Sequence, residues 1–116
     1  MVVAGYLGSL GLMSATDATN AEIIRRVQER VLNLQNMSHV DLKALPPTAI
    51  ESVQIFGKAI SITVYRDNRP NDELLIVVQA VRDGLFGRFP FYVEGFVSSS
   101  SGEKLNAAEE LLWDFS

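Results

Sequence analysis

The chain has 116 residues, of which 47% are hydrophobic and 21% are charged, and its formal net charge at pH 7 is −4. With no cysteine and one histidine, it lacks the residues for thiol catalysis, an iron–sulfur cluster, a zinc knuckle or a multi-histidine site, so we predict neither metal nor cofactor. The acidic charge also argues against nucleic acid as a partner, because phosphate binding needs a basic surface. A chain of this length is expected to form one domain, residues 1–116, with its own core.

The amino-terminal segment, MVVAGYLGSLGLMS, is apolar but differs from both a secretory signal and a membrane span. No lysine or arginine precedes Arg25, whereas a signal peptide begins with a basic region. The apolar run is also too short to cross a bilayer, and glycines interrupt it. We therefore expect a cytoplasmic protein without a membrane partner, in which residues 1–18 form a flexible or docked arm. If the arm docks, its buried side chains are Tyr6, Leu7, Leu10 and Leu12.

The stretch TNAEIIRRVQERVLNLQNM predicts the first helix. Its apolar residues recur at spacings of three and four, which gives a helix one apolar face that can be buried. These residues are Ile23, Ile24, Val27, Val31 and Leu34. Thr19 and Glu22 have the spacing of a capping box, so the helix is expected to begin there. It is expected to end near residues 36–38.

Beyond this helix the period of the apolar residues changes to two. The connector HVDLKALPPTAIE contains two adjacent prolines that a helix does not continue through, with room for one short turn around Leu42. SVQIFGKAISITVYR then predicts a hairpin whose turn is Gly57–Lys58, where the glycine supplies the positive φ of a type II′ turn. The next strand, residues 74–81, is apolar on both faces, which is typical of a central strand.

The remaining sequence predicts a last strand at residues 89–97, a polar loop and a short acidic helix, LNAAEELLWDFS. Asn106 and Glu109 have the spacing of a second capping pair. Because short connections make neighbouring strands antiparallel, the predicted fold is α+β. Its amino-terminal helix packs on a four-stranded antiparallel meander sheet, and a short carboxy-terminal helix covers part of the other face.

This order of elements resembles that of cystatin-like and nuclear-transport-factor-like proteins, at the level of element order alone. The resemblance implies a curled sheet that has space for a pocket. No motif of either group is present in these residues, and a fold of this kind does not by itself determine function.

Two motifs with catalytic or phosphate-binding potential are weak. In GFVSSSSGEKL, six residues separate Gly95 from Gly102, and Glu103 stands where a phosphate loop needs its lysine. His39 lies beside Ser38 and Asp41, but adjacent loop residues seldom reach the geometry of a catalytic triad. A solvated loop and a chance grouping are the simpler interpretations.

The stretch DGLFGRFPFYVEGF, residues 83–96, contains five aromatic residues. Strand alternation assigns Phe91, Val93 and Val97 to the core face, and it assigns Tyr92, Glu94 and Phe96 to the other, partly wet face. If the carboxy-terminal helix covers that second face, Trp113 and Phe115 meet Tyr92 and Phe96, and the cluster is structural. If it covers only a part, an aromatic patch remains beside the last strand, which is also a sheet edge.

The leading hypothesis is therefore a non-enzymatic module that binds another protein, or itself as a homodimer, through this aromatic sheet edge. The candidate binding residues are Phe86, Arg88, Phe89, Tyr92 and Phe96. The alternative is a small-molecule-binding protein or a hydrolase-like enzyme with a pocket in a curled sheet, which would use Glu94, His39 or Tyr65.

Overall fold

A computed structural model of the protein describes residues 15–84 and 87–115, and side chains within residues 18–82 and 90–115. It confirms an α+β fold with an amino-terminal helix, an antiparallel sheet and a short carboxy-terminal helix. In chain order the elements are α1 (Ala15–Gln35), α2 (His39–Lys43), β1 (Thr48–Ile55), β2 (Lys58–Arg69), β3 (Glu73–Gly84), β4 (Gly87–Ser98), β5 (Lys104–Asn106) and α3 (Glu109–Leu112). Single 3-10 turns follow β2 and α3, at Pro70–Asp72 and Trp113–Phe115.

Helix α1 begins earlier than the predicted capping box. Thr19 lies inside the helix and is buried, so the capping prediction is wrong; the residues from Ala15 onward include no helix breaker. The apolar stripe is confirmed, with Ile23 at its centre and Ile24 only half-buried. Of the helices in the described part of the chain, none is both long and apolar enough to cross a bilayer. Residues 1–14 of the predicted arm lie outside the described residues, and the chain from Ala15 onward belongs to α1.

The sheet has five strands in the order β1-β2-β3-β4-β5, one more than predicted. The additional strand is β5, which pairs with the end of β4 from Phe96 to Ser98. Ser99 N–H donates to Glu103 O at 2.9 Å, and this bond closes the serine-rich segment into a turn. Asn106 therefore lies in the sheet opposite Phe96, and α3 begins without a side-chain cap, so the second capping prediction is also wrong.

The β1–β2 hairpin turns one residue earlier than predicted. Ile55 pairs with Lys58, so the two-residue loop is Phe56–Gly57. Both loop residues have positive φ, 50° and 81°, as a type I′ turn requires and a type II′ turn does not. The predicted Gly57–Lys58 turn is wrong in register, although the glycine does supply a positive φ.

One extra residue in β4 reverses the predicted faces of that strand. Ala80 pairs with Tyr92 but Val81 pairs with Pro90, so Phe91 is the inserted residue of a β-bulge. Tyr92 and Phe96 consequently lie on the face that α1 covers, and Phe91 also packs against this core. The central position of β3 is confirmed, since residues 74–81 are buried on both faces.

The opposite face of the sheet is covered in part by the carboxy-terminal segment. The Phe115 ring lies 5.0 Å from the Tyr65 ring, and the amide of Gln79 donates to the Phe115 carbonyl. Trp113 is 64% exposed. The predicted contact of Trp113 and Phe115 with Tyr92 and Phe96 is therefore wrong, because the two pairs lie on opposite faces.

Candidate functional site

The outer edge of β4 is only partly covered by β5. The last bond along this edge joins Ala107 N–H to Gly95 O at 3.0 Å. In an antiparallel ladder, outward-directed backbone groups recur at every second residue, so the N–H and C=O of Val93 also point to this edge. Among the described residues no strand pairs with β4 on this side before Phe96. β4 therefore presents an open edge around Val93.

Two concavities flank this open edge. One, of about 260 Å³, is lined by Pro90, Phe91, Tyr92 and Val93. The other, of about 530 Å³, is lined by Val93, Ala107, Glu109, Leu112 and Trp113. Both include Val93, so they meet at the edge strand itself. We call the two concavities and the strand edge between them the edge groove.

The wall of the groove near α1 is held by polar contacts beneath its aromatic residues. The Tyr92 hydroxyl donates to the Glu94 carboxylate, and burial together with this hydrogen bond raises the pKa of Tyr92 to about 12. The Arg82 guanidinium lies 5.8 Å from the centre of the Phe91 ring, within the range of a cation–π contact. Arg82 also donates to the Asn20 side chain of α1 at 3.3 Å. Phe91 therefore contacts β3 through Arg82, and Tyr92 is held by Glu94 of its own strand.

The other wall is short and apolar, and acidic side chains lie at its rim. Leu112 packs over Gly95, and the exposed indole of Trp113 stands beside it. Glu109 lines the groove, and Asp114 is exposed on the same short segment. A ligand here would meet apolar surface flanked by negative charge.

The predicted binding residues have different positions relative to this groove. Tyr92 lines it, whereas Phe96 is fully buried beneath α1 and contributes no surface. Arg88 and Phe89 belong to β4, opposite Asp83 and Arg82, and their side chains lie outside the described part of the structure, as does all of Phe86.

Sequence reasoning missed the residues of the second wall. The sequence predicts a helix that contains Ala107, Leu112 and Trp113 and packs its apolar side on the sheet. The shortness of α3, only four residues, exposes Trp113 instead. The acidic composition of this segment was the one available signal that part of it faces solvent.

A second polar cluster joins α2 to the turn after β2 and the end of β4. His39 Nδ1 lies 2.9 Å from Ser98 Oγ, and His39 Nε2 lies 3.5 Å from an Asp72 carboxylate oxygen. Lys43 donates to the same carboxylate at 2.7 Å and lowers the pKa of Asp72. Ser98 is fully buried, so no substrate can reach its hydroxyl. The serine, histidine and aspartate form a structural link, not an accessible nucleophile.

This cluster also replaces the grouping that the sequence suggested around His39. Ser38 accepts a hydrogen bond from Asp41 N–H at 3.1 Å and caps α2, while His39 points away toward Ser98. Ser98 and Asp72, which contact His39, are distant from it in the chain, so no local sequence pattern predicts these contacts.

The residues of the enzyme alternative do not converge. His39 contacts the end of β4, Glu94 lies beneath Tyr92 on the α1 face, and Tyr65 is on the opposite face beside Phe115. Among the described residues, no three histidine or acidic side chains lie close enough to hold a metal ion. No protein-family model matches the chain, and none of the curated proteins or solved structures compared with it does.

Proposed function

We propose that the protein is a binding module that accepts an extended segment of another protein in the edge groove. The observation that carries this proposal is the position of Val93, whose outward backbone groups lie between two concavities. A bound strand sends alternate side chains to opposite faces of a sheet. Its backbone would pair with β4, and its alternate side chains would enter the two concavities, as in other cases of β-strand addition.

The chemistry of the walls defines the preferred segment. Phe91 and Tyr92 on one side and Leu112 and Trp113 on the other favour apolar side chains at successive positions, because neighbouring residues of a bound strand enter different concavities. Glu109 and Asp114 favour a lysine or arginine at the flank of the segment. An apolar strand with a basic residue at its flank is therefore the preferred partner.

The test uses the single tryptophan of the chain, Trp113, as an internal reporter. The probe is a synthetic peptide of about seven residues, with valine at the inner positions and a lysine at each end. Binding is expected to change the tryptophan emission in a saturable manner. A peptide of the same sequence, N-methylated at every internal amide, has no N–H to pair along either edge and is expected to be at least tenfold weaker.

Two variants locate the site. Their affinity for the peptide is measured by the fluorescence anisotropy of a dye-labelled form of it. Val93→Pro removes the outward N–H while leaving the bonds between β3 and β4, and Trp113→Ala removes one wall. Each is expected to weaken binding about tenfold, the loss that corresponds to about 1.4 kcal/mol. Leu32→Ala, which truncates an equally exposed apolar side chain on α1, is the control and is expected to change nothing.

The outcomes separate the possible occupants. Equal affinity of the N-methylated and plain peptides, or no effect of Val93→Pro, would contradict strand addition. Tight binding of a small apolar molecule to the groove without peptide binding would instead support the pocket alternative.

We also infer that residues 1–116 act as one cytoplasmic domain. The support for this location is the chain's complete lack of cysteine, which suits a reducing compartment. A fluorescent fusion recovered with membrane or secreted fractions would contradict it.

A further inference from the structure

We propose that β1 is a self-association edge, through which two copies of the chain join their sheets with Ile50 opposite Ile50. This inference is independent of the edge groove, which lies at the other side of the sheet. β1 is the first strand in the sheet order, and β2 is its one strand neighbour there. Its eight residues form one uninterrupted register with β2.

Half of the backbone N–H and C=O groups of β1 point away from β2, where a second strand could pair with them. Arg66 N–H donates to Pro47 O at 2.9 Å, so the odd-numbered residues of β1 bond to β2. The N–H and C=O groups that point outward are those of Thr48, Ile50, Ser52 and Gln54. All four side chains are exposed.

Between Thr48 and Ile55, β1 lacks the sequence features that usually protect an edge strand. Natural edges carry lysine, proline or a bulge, or they are very short. β1 has none of these between Thr48 and Ile55, and its register with β2 shows no shift. Its one charged residue, Glu51, is among those whose backbone bonds to β2, and its carboxylate contacts Arg30 of α1. Ile50, which is 61% exposed, gives the edge an apolar centre.

A second copy fits this edge because an antiparallel pair of identical strands has twofold symmetry. Such an interface is the same patch on both subunits, so it closes at two copies. The two five-stranded sheets would become one continuous sheet, and each edge groove would remain at an outer end.

Two features favour the Ile50 register over a register centred on Glu51. A pairing centred on Glu51 would set two carboxylates in a close, non-hydrogen-bonded pair about 4.5 Å apart between Cα atoms, which is unfavourable. A pairing centred on Ile50 sets Glu51 opposite Ala49 and Ser52 opposite Thr48, and it brings the two isoleucines together. The Ile50 register therefore avoids the repulsion and buries the exposed apolar side chain.

The first experiment measures mass by sedimentation over a concentration series. A single edge gives a small interface, so we expect a concentration-dependent monomer–dimer equilibrium. Ile50→Lys sets two like charges opposite each other and is expected to abolish the dimer. Leu32→Lys adds the same charge at a side chain of equal exposure on α1 and is expected to leave the equilibrium unchanged.

The second experiment reads the register by disulfide formation, for which a chain without cysteine is well suited. Directly opposite residues in this pair have Cα atoms about 5.5 Å apart, within the roughly 4.4 to 6.8 Å that a disulfide spans. Ile50→Cys is therefore expected to give a covalent dimer on mild oxidation. Ser52→Cys, offset by about 13 Å from its own copy, is expected not to.

Three results would overturn the proposal. A chain that stays monomeric at every concentration has no self-association edge, and an unchanged dimer in Ile50→Lys places the interface elsewhere. A covalent dimer from Glu51→Cys, with none from Ile50→Cys, contradicts the register. None of these results bears on peptide binding in the edge groove.

Discussion

Leu112 lies directly over Gly95, so the carboxy-terminal segment approaches β4 where the strand has no side chain. A Cβ atom at Gly95 would stand 3.0 Å from Leu112 Cδ2 and 2.7 Å from the Ile76 carbonyl oxygen. The carbonyl belongs to the backbone of the neighbouring strand and cannot move aside easily. The absence of a side chain at this position therefore determines how closely α3 packs.

Gly95→Ala is accordingly expected to destabilise the fold by about 1 to 3 kcal/mol, because the added methyl group overpacks the site. Urea unfolding measures the change. Ser100→Ala, in the exposed turn before β5, is the control and should stay within about 0.5 kcal/mol of the parent chain. An unchanged unfolding midpoint for Gly95→Ala would contradict the close approach.

Phe96 and Trp113 are expected to behave in opposite ways. Phe96 is completely buried beneath α1, so Phe96→Ala should lower the free energy of unfolding by about 3 to 5 kcal/mol. Trp113→Ala should lower it by less than about 1 kcal/mol, because the indole is largely exposed. Thermal unfolding followed by circular dichroism checks both. Phe96→Leu keeps most of the volume and gives a folded variant for comparison.

Phe56 offers a route to a more stable chain. It has φ 50° at the tip of the β1–β2 hairpin, a strained conformation for a bulky residue, and it is 68% exposed. Phe56→Asn creates Asn-Gly, the pair that type I′ turns prefer, and should stabilise the fold by about 0.5 to 1 kcal/mol. Phe56→Ala removes the ring but keeps a residue with a poor left-handed preference, so it should gain less. Equal stability of the two variants would argue against this turn type.

Tyr92 is expected to contribute to the loss of stability at alkaline pH. Its pKa is raised by burial and by the hydrogen bond to Glu94, to about 12 from 10.0. A raised folded-state pKa adds stability that is complete below pH 10 and is lost as the pH rises toward 12. Tyrosinate absorbance should therefore show one of the chain's three tyrosines ionising near pH 12.

Tyr92→Phe is the matched variant for this titration. It should remove the step near pH 12. Persistence of that step in the variant would assign it to another tyrosine.

The local pattern of apolar residues determined which segments form helices and strands and which of their faces are buried. The spacing of Ile23, Val27, Val31 and Leu34 identified α1 and its buried side, because residues three and four apart share a helix face. The unbroken apolar run of β3 identified the central strand, since both of its faces must be covered. The change of period at the hairpin separated helix from sheet.

Only the tertiary structure decided which face each aromatic residue occupies and where an edge stays open. A single inserted residue, Phe91, reverses the alternation along β4, and the sequence carries no mark of such an insertion. The pairing of β5 and the contact of His39 with Ser98 join residues far apart in the chain, so they depend on how the elements pack. For the same reason the outward N–H of Val93 and the exposed edge at Ile50 become visible only when the strand order is known. The spacing of apolar residues shows which faces of a segment are buried. Whether a strand has an open edge depends on which other strands lie beside it.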